Sequence, residues 1–298
     1  MAAPAPAHPE RLVYLGTPTD ARVPLRALVA AGFSVALVVT RPDAKRGRGG
    51  AMTPSPVKQA ALELGLPIAS TAEAAAGVGA ELGVVVAYGR IIGPAVLERL
   101  PMVNLHFSLL PRWRGAAPVE RAILAGDDRT GVCVMAVEEG LDTGGVYARE
   151  EVVIDPEETA DELRARLVGV GTGLLVDTLT GGLGQPVAQT GDVTYADKLG
   201  NADRRLDWSR PAVELHRVVR VGGASTTFRR TGFKVWRARS SASASGPKGP
   251  PGTLAGTTVN TGDGALELVE VQPAGRGRMA AAAWVNGARP TADDRLGR

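Results

Sequence analysis

Of the 298 residues only one is cysteine, three are histidine and 4% are aromatic. The lone cysteine, Cys133 in the apolar run GVCVMAV, rules out an intrachain disulfide and any multi-cysteine metal site. It reads as a small buried side chain on a strand. The histidines, His8, His106 and His216, are too scattered to suggest a metal-ligand cluster, so no metal is expected. No stretch approaches the ~18 apolar residues that a membrane span needs. The opening MAAPAPAHPERL has no apolar run of signal-peptide type. These features predict a cytoplasmic protein with no membrane association. The scarcity of aromatics points to no function by itself.

A 44% hydrophobic and 22% charged composition is that of a globular chain with a sizeable core. At this length one large domain plus a smaller one is the natural division, because single cores stop growing near ~250 residues. The net charge of +3 hides an asymmetry. Residues 1–194 hold 17 Lys and Arg against 22 Asp and Glu, whereas residues 195–298 hold 17 against 9. A basic C-terminal third is the pattern of an accessory domain that meets a polyanion.

RLVYLG is a short apolar run, followed by GTPTD and a helical pattern, PLRALVAAG, that closes on glycine. VALVV then repeats the strand. Two such strands around a helix make a βαβ unit, which favours a parallel sheet covered on both faces. ELGVVVAYG and MVNLHFS continue the series, with VKQAALELG and PAVLERL as amphipathic segments between them. GVCVMAV and GGVYAREEVVI read as a strand pair joined through EEGLDT, and ADELRARLVGVGTGLLVDTL as a long helix. The turn-rich, charged stretch before LDW reads as a linker, and PAVELHRVVR as a short helix. Beyond it, TTFRR, FKVWRA, GTLAGTTV, ALELVEV and AAAWVNG alternate with glycine-rich turns, as in small β-barrels. SSASASGPKGPPG reads as an exposed loop. The fold class is therefore α/β: a Rossmann-like parallel-sheet domain over residues 1–190, a linker over 191–205, and a small OB-like β-barrel over 206–298.

VNLHFSLLPRWRGAAP carries the chemistry. Asn104 and His106 are two apart, so on a strand both point to one side, near its C-terminal end, where open α/β sheets place their sites. Asp142 in EEGLDTGG would orient the imidazole if the fold brings them together. Taken singly, these residues are equally consistent with strand-end hydrogen bonding and a carboxylate capping a tight turn.

Together, VNLHFSLLPRWRGAAP and GLDTGG resemble the signature of the folate-dependent formyltransferases. The likeness extends to GTP after the first strand, RPDAKRGRGGAMTPSPVK, VVVAYGRII, YADKL and LDWS. It therefore covers nearly the whole chain. It is strongest for the branch whose acceptor is methionyl initiator tRNA. The resemblance implies catalysis by Asn104, His106 and Asp142, with 10-formyltetrahydrofolate as co-substrate and no metal. It implies a folate-binding turn at Ser108, Leu109, Leu110 and Pro111, and a pteridine slot lined by backbone around Val86, Tyr88, Gly89 and Arg90. It further implies tRNA contacts from Arg41, Lys45, Arg46 and Arg48 in the basic loop, and from Lys198. The implied partners are a small-molecule folate and methionyl initiator tRNA, and the implied assembly is a monomer.

Two features depart from the family pattern. Phe107 stands where a small residue is expected, which would reshape the folate slot. VRVGGASTTF is shorter than the usual stretch with Asn, Pro and Trp. The rival readings are the same transfer to another amine, such as an amino-sugar nucleotide or glycinamide ribonucleotide, a catalytically silent RNA-binding protein, and a nicotinamide dehydrogenase. The last is weak, because LVYLGTPTD lacks the glycine spacing of a dinucleotide turn.

Overall fold

The run RLVYLG becomes the strand Arg11–Gly16, buried at every position but its first. The first sheet grows outward from it on both sides. Its neighbours on either side, Ser34–Val39 and Leu82–Val86, both pair with it in parallel. Five of the seven strands are parallel, and Arg129–Ala136 and Val146–Val153 close one edge antiparallel. Strands without an alternating polar face suit this arrangement, since a parallel sheet is covered on both sides.

The computed structural model describes residues 3–45, 50–241 and 247–298. It divides into two compact units. The first comprises the chain through Pro118, Arg129–Val153 and Arg164–Asp197, and the second Val119–Asp128, Ile154–Leu163 and Lys198–Arg298. The chain thus makes two short excursions into the second unit before settling there.

Within the first unit the sheet order runs Val146–Val153, Arg129–Ala136, Met102–His106, Leu82–Val86, Arg11–Gly16, Ser34–Val39, Ile68–Ala69. The chain builds outward from Arg11–Gly16 in one direction, then returns to build in the other. The crevice at this reversal lies beyond the C-terminal ends of Arg11–Gly16 and Leu82–Val86, the position at which open α/β sheets bind ligands. Local signals set the helices. Pro56 opens the helix Pro56–Glu63, and the Ser55 side chain caps it by accepting from the Lys58 amide at 3.0 Å. Tyr14 is fully buried and donates its hydroxyl to the Ala21 carbonyl at 2.5 Å. Burial pushes that phenol well above its ordinary pKa.

The second unit is an antiparallel sheet: Ala224–Phe228, Thr231–Ser241, Ala265–Pro273, Thr258–Asn260 and Leu254–Ala255 in that order, with Met279–Ala280 added against Ala265–Pro273. Register shifts around Arg237 bend the long Thr231–Ser241 strand. Bridges from Phe228 to Leu296 and from Thr253 to Arg295 tie the end of the chain to it. Its core is centred on Phe228, Phe233 and Trp284, with the Trp284 ring 5.0 Å from Phe228 edge-on and 4.6 Å from Phe233. His216 is buried and its Nε2 lies 3.0 Å from the Ala238 carbonyl. Desolvation holds its pKa below the ordinary histidine value, against the opposing pull of Glu157.

One element differs from the sequence reading. AAAWVNG, expected as a strand, is the helix Ala281–Ala288, and only Met279–Ala280 before it is extended. Three consecutive alanines have the highest helix propensity available. Spacing Ala281 and Trp284 three apart puts both buried residues on one helical face. Among the described residues, no helix is long and apolar enough to cross a membrane.

Trp284 is 5% exposed at the centre of the second unit's core. Replacing Trp284 by Ala is expected to destabilise that unit by ~3–5 kcal/mol in chemical denaturation, and a loss below ~1 kcal/mol would contradict its place there.

Candidate functional site

The strand Met102–His106 ends at the histidine, and its alternation puts Asn104 and His106 on the same face. The His106 side chain is 6% exposed. Its Nε2 lies 2.9 Å from the Trp113 carbonyl oxygen. A carbonyl can only accept, so Nε2 carries the proton and the tautomer is fixed. The other ring nitrogen, Nδ1, is left facing Asp142, whose Oδ2 is 3.7 Å away. That separation is within ion-pair range and beyond hydrogen-bond contact.

Asp142 is itself held. Its Oδ2 accepts from the Gly115 amide at 2.7 Å, so one carboxylate oxygen faces both a backbone donor and the imidazole. The backbones that present these groups are unusual: Asp142 has φ +51° and Trp113 φ +63°. Left-handed conformations at non-glycine residues cost on the order of 1–3 kcal/mol each, so the surroundings must enforce them. Gly144 contributes by having no side chain, since a Cβ there would collide with the Ala136 carbonyl oxygen.

The Asn104 side chain is partly exposed and makes no hydrogen bond to any described residue. Its amide is therefore free to engage a ligand. The structure thus brings Asn104, His106 and Asp142 together at the strand's C-terminal end. A free amide donor, an imidazole of fixed tautomer and a carboxylate suit attack on a carbonyl, in which one oxygen gains charge and the attacking group loses a proton.

The residues read as folate-binding fall on two segments. Val86, Tyr88 and Leu110 are 0%, 3% and 4% exposed, so they can offer a ligand backbone rather than side chains. Ser108 is fully buried, and its hydroxyl donates to the Arg112 carbonyl at 2.6 Å, closing the turn that also contains Leu109 and Pro111. Gly89 has φ +74°, and its carbonyl accepts from the Arg41 guanidinium. Arg90 is exposed and donates to the Ser70 carbonyl at 3.2 Å. Phe107 is buried, at 8% exposure.

At the basic segment Ala44–Lys45 pairs antiparallel with Met52–Thr53. Lys58 bonds Asp43 at 2.7 Å. Arg41 and Lys45 are exposed, as is Lys198. Arg46 and Arg48 lie outside the described residues. Among the described residues, no cluster of three or more His, Cys, Asp or Glu could hold a metal ion.

Several groups around the triad went unnoticed in the sequence. The Trp113 carbonyl and the Gly115 amide act through backbone, and the Gln189 side chain acts from a turn-rich stretch at the end of the 1–190 domain. Gln189 donates to the carbonyls of Asp142 and Gly144, both at 2.8 Å. The segment after it pairs in parallel with Arg114–Gly115 through Tyr195–Ala196. The only signal within the sequence was the proximity of Gln189 to YADKL.

Residues 10–179 match the family described as "Formyl transferase", and residues 198–289 match "Formyl transferase, C-terminal domain". A protein from Symbiobacterium thermophilum named methionyl-tRNA formyltransferase is 45% identical over 93% of this chain and 92% of its own. One of the same name from Roseobacter denitrificans is 46% identical over 93% and 95%. Among solved structures, HypX from Aquifex aeolicus in complex with tetrahydrofolic acid has a TM-score of 0.65 at 18% identity, covering 94% of this chain and 47% of that one. WlaRD, a sugar 3N-formyl transferase, has a TM-score of 0.66 at 16% identity, covering 90% and 98%. At such identities the two structures speak for the fold alone.

The hydrogen bond to Trp113 has a direct spectroscopic signature. The ¹⁵N spectrum of neutral His106 should show the Nε2-protonated tautomer. A dominant Nδ1-protonated form would contradict the geometry.

Proposed function

The chain belongs to the formyl transferase family, and on that premise we propose that it transfers the formyl group of 10-formyltetrahydrofolate to the amino group of methionyl initiator tRNA, for the start of translation. It acts as a cytoplasmic monomer, with catalysis in the 1–190 domain and the 206–298 domain engaging tRNA. The observation that carries the reading is the imidazole of His106 between the Trp113 carbonyl and Asp142, with the free amide of Asn104 on the same strand face. The relatives above 40% identity, matched over more than nine-tenths of both chains, support the acceptor.

The amine attacks the formyl carbon of the donor, and collapse of the tetrahedral intermediate breaks the bond to N10, which takes a proton as tetrahydrofolate leaves. What the protein adds is charge stabilisation and proton handling. Asn104 donates a hydrogen bond to the formyl oxygen as charge develops on it, an interaction worth roughly 2.7–4 kcal/mol where such donors have been removed elsewhere. His106 acts through Nδ1, since its Nε2 proton is already bonded to the Trp113 carbonyl: as the imidazolium it shares in stabilising that charge, and as the neutral ring it relays protons. Asp142 keeps the imidazole in place and takes up, through water, the proton that the amine must lose. None of the three needs to form a covalent bond.

The folate fits the observed residues as a ligand read by backbone. Val86 and Tyr88 are buried, so it is the main chain of Val86, Tyr88, Gly89 and Arg90 that would meet the pteridine, with Ser108, Leu109, Leu110 and Pro111 across the slot. Phe107 is buried beside that turn in sequence. For the tRNA, Arg41, Lys45, Arg46 and Arg48 supply cations from the loop. Lys198 supplies another at the start of the basic C-terminal third. Phosphate contacts of this kind set affinity and its salt dependence.

His106→Ala is expected to slow transfer to methionyl initiator tRNA by ~10²–10⁴-fold while folate affinity changes little. Equal losses in rate and folate affinity would argue against a role in the chemical step. Removing the charges of Lys45 and Arg48 together should weaken tRNA use and lower the salt slope by about 2. Unchanged tRNA kinetics would remove the loop from the acceptor site.

A further inference from the structure

Two of the groups that surround His106 sit on left-handed, non-glycine backbone, at Trp113 and Asp142. Neither conformation is chosen by its own residue type, since Trp has no local means of stabilising it and Asp only a weak one. Something outside the two turns must hold them. The same short segment touches both.

Gln189 reaches the Asp142 turn. Its Nε2 donates to the Asp142 and Gly144 carbonyls, each at 2.8 Å, so one amide group spans the left-handed residue. Its Oε1 accepts from Arg114 Nε at 3.1 Å and Nη2 at 2.7 Å. The orientation of that amide is not arbitrary. Carbonyls only accept and a guanidinium only donates, so a flipped amide would lose all four bonds. Thr194, five residues on, reaches the other turn. Its Oγ1 accepts from the Trp113 amide at 2.8 Å and its carbonyl accepts from the Arg114 amide at 2.9 Å. Ala196 continues the strap, its carbonyl accepting from the Ala116 and Ala117 amides at 2.9 and 3.0 Å.

We infer that Gln189 and Thr194 are positioning residues, a clamp that holds the Asp142 carboxylate and the Trp113 carbonyl on the two nitrogens of His106. The inference rests on the catalytic reading of His106 and Asp142 given above. Neither residue is required to meet substrate. Gln189 fixes the turn whose carboxylate faces Nδ1, Thr194 fixes the turn whose carbonyl takes the Nε2 proton, and Arg114 joins the two. Loss of the Gln189 donors frees the Asp142 turn to relax from its left-handed conformation. The carboxylate then leaves the Gly115 amide and its place near Nδ1. A geometric error of about 1 Å at a reacting group is enough to cost ~100-fold in rate.

Gln189→Glu is the direct test, because it keeps the shape and the bond to Arg114 while replacing the one nitrogen that donates to both carbonyls by an oxygen that repels them. In the full chain it should lower kcat by ~10- to 100-fold, leave the donor KM essentially unchanged, and displace the pH profile of kcat. Thr194→Val, which removes the acceptor for the Trp113 amide with little change in shape, should act in the same direction and remains informative if the first variant folds poorly. The pH profile is decisive in the charge-neutral Thr194→Val, where a merely structural role would leave it unmoved, because the carboxylate that Gln189→Glu introduces shifts neighbouring titrations by itself. Unchanged kcat, or a loss of kcat that follows the loss in Tm with a wild-type pH profile, overturns the clamp. Asp142→Asn, assayed in parallel, separates this from the underlying reading. If that variant transfers formyl normally, the catalytic assignment itself fails. If it is impaired while both clamp variants behave as wild type, only the clamp fails.

Discussion

The bond from His106 Nε2 to the Trp113 carbonyl is the constraint on which the site depends. It decides which ring nitrogen carries the proton, and so which one confronts Asp142. It also ties the end of the strand Met102–His106 to the turn that follows, whose other members, Ser108 and Arg112, are joined by their own hydrogen bond. From this one contact the arrangement can be followed outward: Asp142 against the Gly115 amide, Gly115 in the short parallel pairing with Tyr195–Ala196, and Gln189 binding Asp142 back to Arg114. Every member of this chain of contacts lies within the first compact unit. These contacts are thus complete within one folded body.

The energetics of that body are arranged for rigidity. A mainly parallel sheet whose inner strands are buried supplies the frame, and Asn104, His106 and Asp142 are placed on a strand end and on a turn near it. Two left-handed residues are held in place by hydrogen bonds from a segment some 50 to 80 residues away. Such preorganisation suits electrostatic catalysis, in which donors must already be aimed at the place where charge develops. The second unit solves a different problem. Its antiparallel sheet closes over Phe228, Phe233 and Trp284, leaving charged side chains on its surface. Among them Arg229 pairs with Asp294, which holds that carboxyl well below its usual range.

Much of this was legible in the sequence because it rests on periodicity. The βαβ opening, the antiparallel strand pair joined through EEGLDT and the long helix after it follow from apolar runs and spacing. The pairing of Asn104 with His106 follows from the two-residue repeat of a strand. What stayed illegible has a common cause. The partners of His106 and Asp142 are a carbonyl at Trp113 and an amide at Gly115, and backbone groups carry no residue-type signal. Gln189 looked like one polar residue in a turn-rich stretch, since its importance lies in where a non-local pairing places it. AAAWVNG was misread because a short apolar run has no period of its own, and the helix propensity of its alanines decided the outcome.

The most direct measurement compares acceptors. With 10-formyltetrahydrofolate as donor, the purified protein would be given methionyl initiator tRNA, methionyl elongator tRNA and an amino-sugar nucleotide in parallel. The expected result is rapid formylation of the initiator and little of the other two. Transfer to the amino sugar alone, or to no acceptor at all, would contradict it.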